Sequence, residues 1–254
     1  LAIGLLGWLN IVGFASCFMF QIVLGIFGFV SRQKRSAVIQ GEATAPCVGS
    51  NTNLKWFTTL ALVVVSIAGV VSLIVCFIPP AGHEWDALSY HLAAPQIYLT
   101  QHKIHFLPTD HHSNFPFLLE MLFMLGLFLN GFALANLFHW IMGALLVVAI
   151  YRVSAKWYGS FAAALTASSF AMAPIVIWEA GVAYIELGLT LYVVLGVLCV
   201  IQFRKSQAGN WLGAAGLFMG LALGTKALAL VPWFIVGCLL LAEKVKFKQF
   251  RWYL

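Results

Sequence analysis

Few residues in this chain can do chemistry, and they are not scattered evenly. Only eight carboxylates occur in 254 residues. Glu84 and Asp86 fall together in Pro79-Pro80-Ala81-Gly82-His83-Glu84-Trp85-Asp86-Ala87-Leu88-Ser89-Tyr90-His91. Glu179 and Glu186 flank Tyr184 further on, and Lys226 stands alone inside a long apolar block. In such a chain ionisable groups persist where something uses them or water reaches them. A carboxylate can take the proton of an attacking hydroxyl, and a lysine can neutralise the charge that grows on a departing phosphate. Tyr90, His91 and Tyr184 can hydrogen-bond a sugar or a phosphate, or equally pack a helix interface. Each carboxylate taken singly also reads as a solvated loop residue; their grouping is what points to a site.

The elements that must position these groups are helices in a membrane. The sequence is 62% hydrophobic and 9% charged, with a mean hydropathy of +0.96, whereas soluble domains carry about 25% charged residues. Its apolar runs have bilayer-spanning length, so the fold class is an all-α polytopic membrane protein. The net charge of +6 comes from basic residues in short loops beside those runs. That pattern sets orientation by the positive-inside bias and argues against a nucleic-acid partner. The five cysteines make no CxxC or Cys/His ligand spacing and read as small apolar residues.

In order, residues 1–30 form a first span, and 31–55 a polar loop whose four basic residues make it cytoplasmic. A second span over 56–78 ends at Pro79-Pro80, a hard stop for a helix. Parity puts 80–115 outside, with one amphipathic helix over 86–102 lying along the membrane surface and interrupted at Pro95. Residues 116–130 are too short to cross, at about 1.5 Å rise each. They are expected to form a short or re-entrant helix, so the outer loop runs over 80–131. Spans over 132–151 and 158–178 follow, then an outer turn at 178–186 and a return over 187–203 to Arg204-Lys205. The block 211–242 breaks at Lys226 and again at Pro232, and a two-helix hairpin there places Lys226 at the outer leaflet. Gly216, Gly220 and Gly224, four apart, predict a close-packing face. Glu120 and His139, inside apolar stretches, are expected to pair with helix neighbours or line a cavity, with His139 more simply a packing residue. Asp110-His111-His112 offers oxygen and imidazole ligands for a divalent ion, or forms a solvated loop.

Taken together, several of these segments resemble one family. Asp86-Ala-Leu-Ser-Tyr90-His91-Leu with Pro95, Tyr98 and Leu99 looks like the first outer-loop motif of the GT-C membrane glycosyltransferases. Those related to protein O-mannosyltransferases and lipid A aminoarabinose transferases are the nearest in pattern. Asn114-Phe-Pro116 with Glu120, Ala183-Tyr184-Ile-Glu186-Leu, and Gly216-Leu-Phe-Met-Gly220-Leu-Ala-Leu-Gly224-Thr-Lys226 follow in the matching order. The likeness spans about residues 57–243, with one departure: the second acidic position, usually aspartate in that family, is Glu186.

The resemblance implies a GT-C-like bundle of about seven transmembrane helices with short juxtamembrane helices in the first outer loop. Residues 56–254 would be this module, incomplete at its C-terminus, and 1–30 an accessory helix. It also implies transfer of a sugar from a polyprenyl-phosphate donor to an acceptor hydroxyl on the extracytoplasmic face of a bacterial inner membrane. Asp86 would be the base. Glu186 would orient the acceptor or help hold a divalent ion, and Glu84, Tyr90, His91, Tyr184 and Lys226 would contact substrate. Membrane lipids, and other membrane subunits, are the remaining expected partners. A chain that opens without methionine and stops at Leu254 also fits a piece of something longer, or a non-catalytic subunit derived from the same fold. A proton-coupled transporter is the third class, set aside because the acids gather in outer loops and no inverted repeat is visible.

Overall fold

The computed structural model describes residues 52–251, with side chains over 55–241; the expected first span and cytoplasmic loop lie outside the described residues. All regular elements among them are helical: α1 (Thr52–Val75), α2 (Ala93–Thr100), α3 (Leu118–Asn130), α4 (Phe132–Ala171), α5 (Pro174–Ala180), α6 (Glu186–Ser206), α7 (Gly209–Thr225) and α8 (Leu230–Arg251). Three of them, α1, α4 and α6, are long and apolar enough to cross a membrane. The protein is therefore an all-α membrane protein, as its composition requires.

The 40-residue α4 is two legs joined at Gly159, whose φ of 83° lies in the left-handed region that only glycine adopts at no steric cost. Hydrogen bonds to α1 give the direction of each leg. Asn136 Nδ2 donates to Cys76 O at 3.1 Å and Trp140 Nε1 to Gly69 O at 3.1 Å, so the first leg runs antiparallel to α1. In the second leg Ser168 Oγ donates to Ala61 O at 3.3 Å, and beyond it Gly181 lies against Val75, so the chain has turned back parallel to α1. Two crossings with a bend between them are what the sequence predicts over 132–178.

Pro174 opens α5 at a position where a missing N–H costs nothing. In α8, Pro232 falls in the first turn for the same reason. The expected second break, at Pro232, is therefore absent. The break at Lys226 is present: its backbone is extended (φ −154°, ψ 134°), and a short 3₁₀ turn, Ala227–Ala229, leads into α8. Val236 and Leu240 of α8 pack on Cys199 and Val200 of α6 and Ala215 of α7. The chain after Lys226 thus returns along the helices it came from, a hairpin.

Close approach occurs at glycines other than those expected. Gly216 and Gly220 have open space where a side chain would be, and meet no neighbour. The packed face of α7 carries Ala215, Met219 and Ala222 instead, and Met219 leans on Gly196 of α6. Of the expected stripe only Gly224 meets a neighbour, Leu118 of α3, at ordinary contact distance. At Gly126, by contrast, an added Cβ would lie 2.6 Å from Ala135 N, a backbone atom that cannot swing aside. Gly126→Ala should therefore destabilise the protein by about 1–3 kcal/mol, read as a lowered unfolding midpoint in detergent, whereas Gly216→Ala should be near neutral.

Beside the 80–115 segment the core gathers Leu119 and Phe123 of α3, Ala135 and Leu146 of α4, and Val182 and Leu187 around the 178–186 turn. This cluster anchors the turn and the start of α6 against α3 and α4, and so fixes where Glu186 projects.

Candidate active site

Residues 80–115 fold differently from the single helix expected over 86–102. Leu88 N–H donates to Glu84 O at 3.0 Å, and Leu92 N–H reaches back five residues to Ala87 O at 2.9 Å, giving a π-turn over Ala87–His91. A separate helix, α2, follows, and Pro95 lies within its first turn without interrupting it. Ala94, Pro95 and Tyr98 are buried, so one face of α2 packs against Leu107, Phe117 and Met124 while Gln96, Ile97 and Thr100 stay exposed. Single π-turns recur at functional sites. Here the turn leaves Asp86 half-exposed at its start and directs Tyr90 back onto it.

Tyr90 joins several of the candidate groups. Its hydroxyl donates to the Asp86 carboxylate. Burial pushes the phenol well above its usual range, and the negative charges of Asp86, Glu186 and Glu120 push it further. Tyr184 lies on the other side of Asp86. Its phenol is raised by burial, then by the charges of Asp86, Glu84 and Glu186, against the pull of a hydrogen bond from the Asp86 backbone N–H. Two tyrosines thus sense Asp86 and Glu186 together, although a hundred residues separate those two acids in sequence.

Lys226 completes the group. Its Nζ lies 2.8 Å from Glu186 Oε1, the two side chains 43% and 38% exposed. An ion pair this open is worth about 0–1 kcal/mol, so an incoming anion can draw Lys226 away at little cost. Glu186 also accepts the Ile185 N–H through Oε2 at 3.1 Å, which fixes its carboxylate at the head of α6.

Glu179, half-buried on α5, has its carboxyl pushed up to about 7 by burial and by the Glu186 charge, with Lys226 pulling the other way. Its folded-state value lies above its ordinary one, so the folded protein holds that proton more tightly than the unfolded chain does. Stability from this group is full below about pH 4.5 and declines as pH rises towards 7. Around pH 7 the folded protein's Glu179 gains a charge that competes with Glu186 for Lys226. Turnover should therefore carry an inflexion near pH 7, with the rate falling on the alkaline side, and Glu179→Gln should flatten it. A pH–rate profile of the two proteins checks this.

The remaining candidates are buried. His91 is 1% exposed, its Nδ1 2.7 Å from Glu120 Oε1, which is equally buried. Its Nδ1 is engaged by Glu120, and its ring lies tilted against Tyr184, centroids 5.7 Å apart. Glu84 is also buried, its side chain 9% exposed and 3.7 Å from His83, and loss of water raises its carboxyl. Both residues shape the turn that carries Asp86. Removing one partner of the inner pair, as in Glu120→Ala, should cost about 3–5 kcal/mol because the other is left buried without compensation. Thermal unfolding of the variant checks it.

His139 was legible only as a packing residue, and its packing has a purpose. Fully buried on α4, it directs Nδ1 to Glu179 O at 2.9 Å and Val182 O at 2.8 Å. Its Nε2 accepts the Leu187 N–H at 3.2 Å. One ring therefore ties the turn carrying Glu179, Tyr184 and Glu186 to the first N–H groups of α6, which have no partner within their own helix. The sequence signal was a histidine inside an apolar run, a residue that needs partners when buried; which partners was invisible. His112 was likewise missed as a neighbour of the site: its ring stacks on Tyr90, centroids 4.1 Å apart and planes 6° from parallel.

Three separate stretches thus meet at one end of the helices, carrying a half-exposed carboxylate, two tyrosines and an exposed lysine–glutamate pair. The set can accept a proton and neutralise an anion within one small space. Comparison with curated proteins and with solved structures finds no match. A family profile, dolichyl-phosphate-mannose-protein mannosyltransferase, matches residues 109–252. That segment includes Glu120, His139, Glu179, Tyr184, Glu186 and Lys226, while Glu84, Asp86, Tyr90 and His91 precede it. The match takes in more than half of the chain, and the chain belongs to the dolichyl-phosphate-mannose-protein mannosyltransferase family, a family of membrane glycosyltransferases.

Proposed function

We propose that this protein transfers a sugar from a polyprenyl-phosphate carrier to an acceptor hydroxyl at the extracytoplasmic face of the membrane, with Asp86 as the general base. The acceptor O–H is deprotonated by Asp86 as its oxygen bonds to the anomeric carbon. The bond from that carbon to the lipid phosphate breaks, and the phosphate leaves with its electron pair beside Lys226. Charge on the sugar ring resembles an oxocarbenium ion at that moment, which the nearby Glu186 carboxylate favours. Glu186 holds Lys226 until the donor arrives, and Tyr90 keeps the Asp86 carboxylate oriented.

The observation that carries this reading is the convergence of Asp86 and the Glu186–Lys226 pair on Tyr90 and Tyr184. Family membership supplies the class of donor. In this reading residues 56–254 are the catalytic transmembrane module, with its outer loop at 80–131, and 1–30 and 31–55 an accessory span and a cytoplasmic loop in a bacterial plasma membrane.

The donor class is tested by giving the purified protein a radiolabelled mannose on either a polyprenyl phosphate or a nucleotide diphosphate. Label should reach a hydroxyl-bearing acceptor from the lipid donor alone. Turnover of the nucleotide sugar in its place would overturn the reading.

A further inference from the structure

We propose that Asp110, His111 and His112 form a binding site for a divalent transition-metal ion of the Zn²⁺ class, on the outer loop next to the reaction centre. One donor atom from each of the three residues lies within 4.8 Å of the other two. Donors around a tetrahedral Zn²⁺ are about 3.3 Å apart, as metal–ligand bonds of about 2.0–2.2 Å require, so the cluster closes with donor shifts of about 1.5 Å or less. Imidazole and carboxylate together suit Zn²⁺ and its first-row neighbours more than Mg²⁺ or Ca²⁺, which prefer all-oxygen sites.

The loop is built to hold the donors in place. Asp110 Oδ1 accepts the His112 N–H at 3.0 Å and stands 2.7 Å from His112 Nδ1. This contact keeps the carboxylate and the His112 ring side by side, as two ligands of one ion must be. Ser113 Oγ donates to Asp110 O at 2.7 Å and Asn114 Nδ2 to His111 O at 3.2 Å, bracing the same turn. Outside the cluster, Tyr90 lies flat on the His112 ring and pins its plane. The His111 and His112 rings are 3.9 Å apart and 36° from parallel, presenting adjacent edges. His111 is exposed and the other two are half-exposed, which leaves coordination positions open to water or to an oxygen of phosphate or sugar.

This goes beyond the glycosyl-transfer reading and does not depend on it, since binding is measured without turnover. The full chain, stripped with chelator and reconstituted in nanodiscs, is titrated with Zn²⁺ by calorimetry. One ion per chain should bind, and His111→Ala and His112→Ala should each weaken it at least tenfold. Asp110→Asn, which keeps the turn's acceptor and loses the carboxylate ligand, should also weaken it at least tenfold. His83→Ala, on the same loop, should bind as the parent does. Near-UV circular dichroism confirms that each variant is folded. Absence of binding to the parent, or undiminished binding in both histidine variants, would overturn the site.

Discussion

Asp86→Asn should lower the turnover number by about 10²–10⁴-fold, the range a positioned general base supplies, and leave the fold intact. Asparagine keeps an oxygen that the Tyr90 hydroxyl can reach, and the side chain is half-exposed, so little packing is lost. What disappears is the ability to accept a proton as the acceptor oxygen attacks. Donor affinity should hardly change, because the lipid phosphate is bound by a different group. A fall in kcat with constant KM and an unchanged unfolding midpoint is the expected signature. A variant that turns over like the parent would take Asp86 out of the reaction.

Lys226→Met should cost about 10²–10³-fold in kcat, the scale seen when one preorganised charge-stabilising group is removed. Its ion pair with Glu186 offers an alternative explanation for any loss, since the variant strands Glu186 without its partner. The second substitution separates the two. If Lys226 acts only by holding Glu186, adding Glu186→Gln to Lys226→Met should restore much of the activity. If it acts on the phosphate, the double variant stays as slow as Lys226→Met. Such a cycle isolates the coupling between neighbours that single variants confound. Stability should move by less than about 1 kcal/mol in all three proteins, as expected for a pair this exposed.

The parts of this arrangement that were legible in the sequence are those set by composition and covalent geometry. Pro79-Pro80 ends a span whatever surrounds it, and the break at Lys226 was signalled by a lone charge in an apolar block, where the backbone is indeed extended. Counting basic loops put Asp86, Glu186 and Lys226 on one side; in the structure Asp86 and Glu186 both act on Tyr90 and Tyr184, and Lys226 pairs with Glu186. What stayed hidden depends on rotation about helix axes and on register between segments. Gly216, Gly220 and Gly224 share a face, but the spacing does not say which way that face points. The π-turn inserts one residue into the helical count at Ala87–His91, and that shift buries His91 against Glu120. Glu120 signalled a partner by being an acid in an apolar run; that the partner lay 29 residues earlier could come only from the packing of α3 beneath the loop.

The account stands on Asp86 and Lys226 sharing one extracytoplasmic site. Single Asp86→Cys and Lys226→Cys variants, in a background with Cys47 and the apolar-run cysteines replaced, can be treated with a membrane-impermeant maleimide from one side of intact cells or vesicles. Both should label from the extracytoplasmic side, and polyprenyl phosphate should protect both. Labelling of either position from the cytoplasmic side alone would contradict the account.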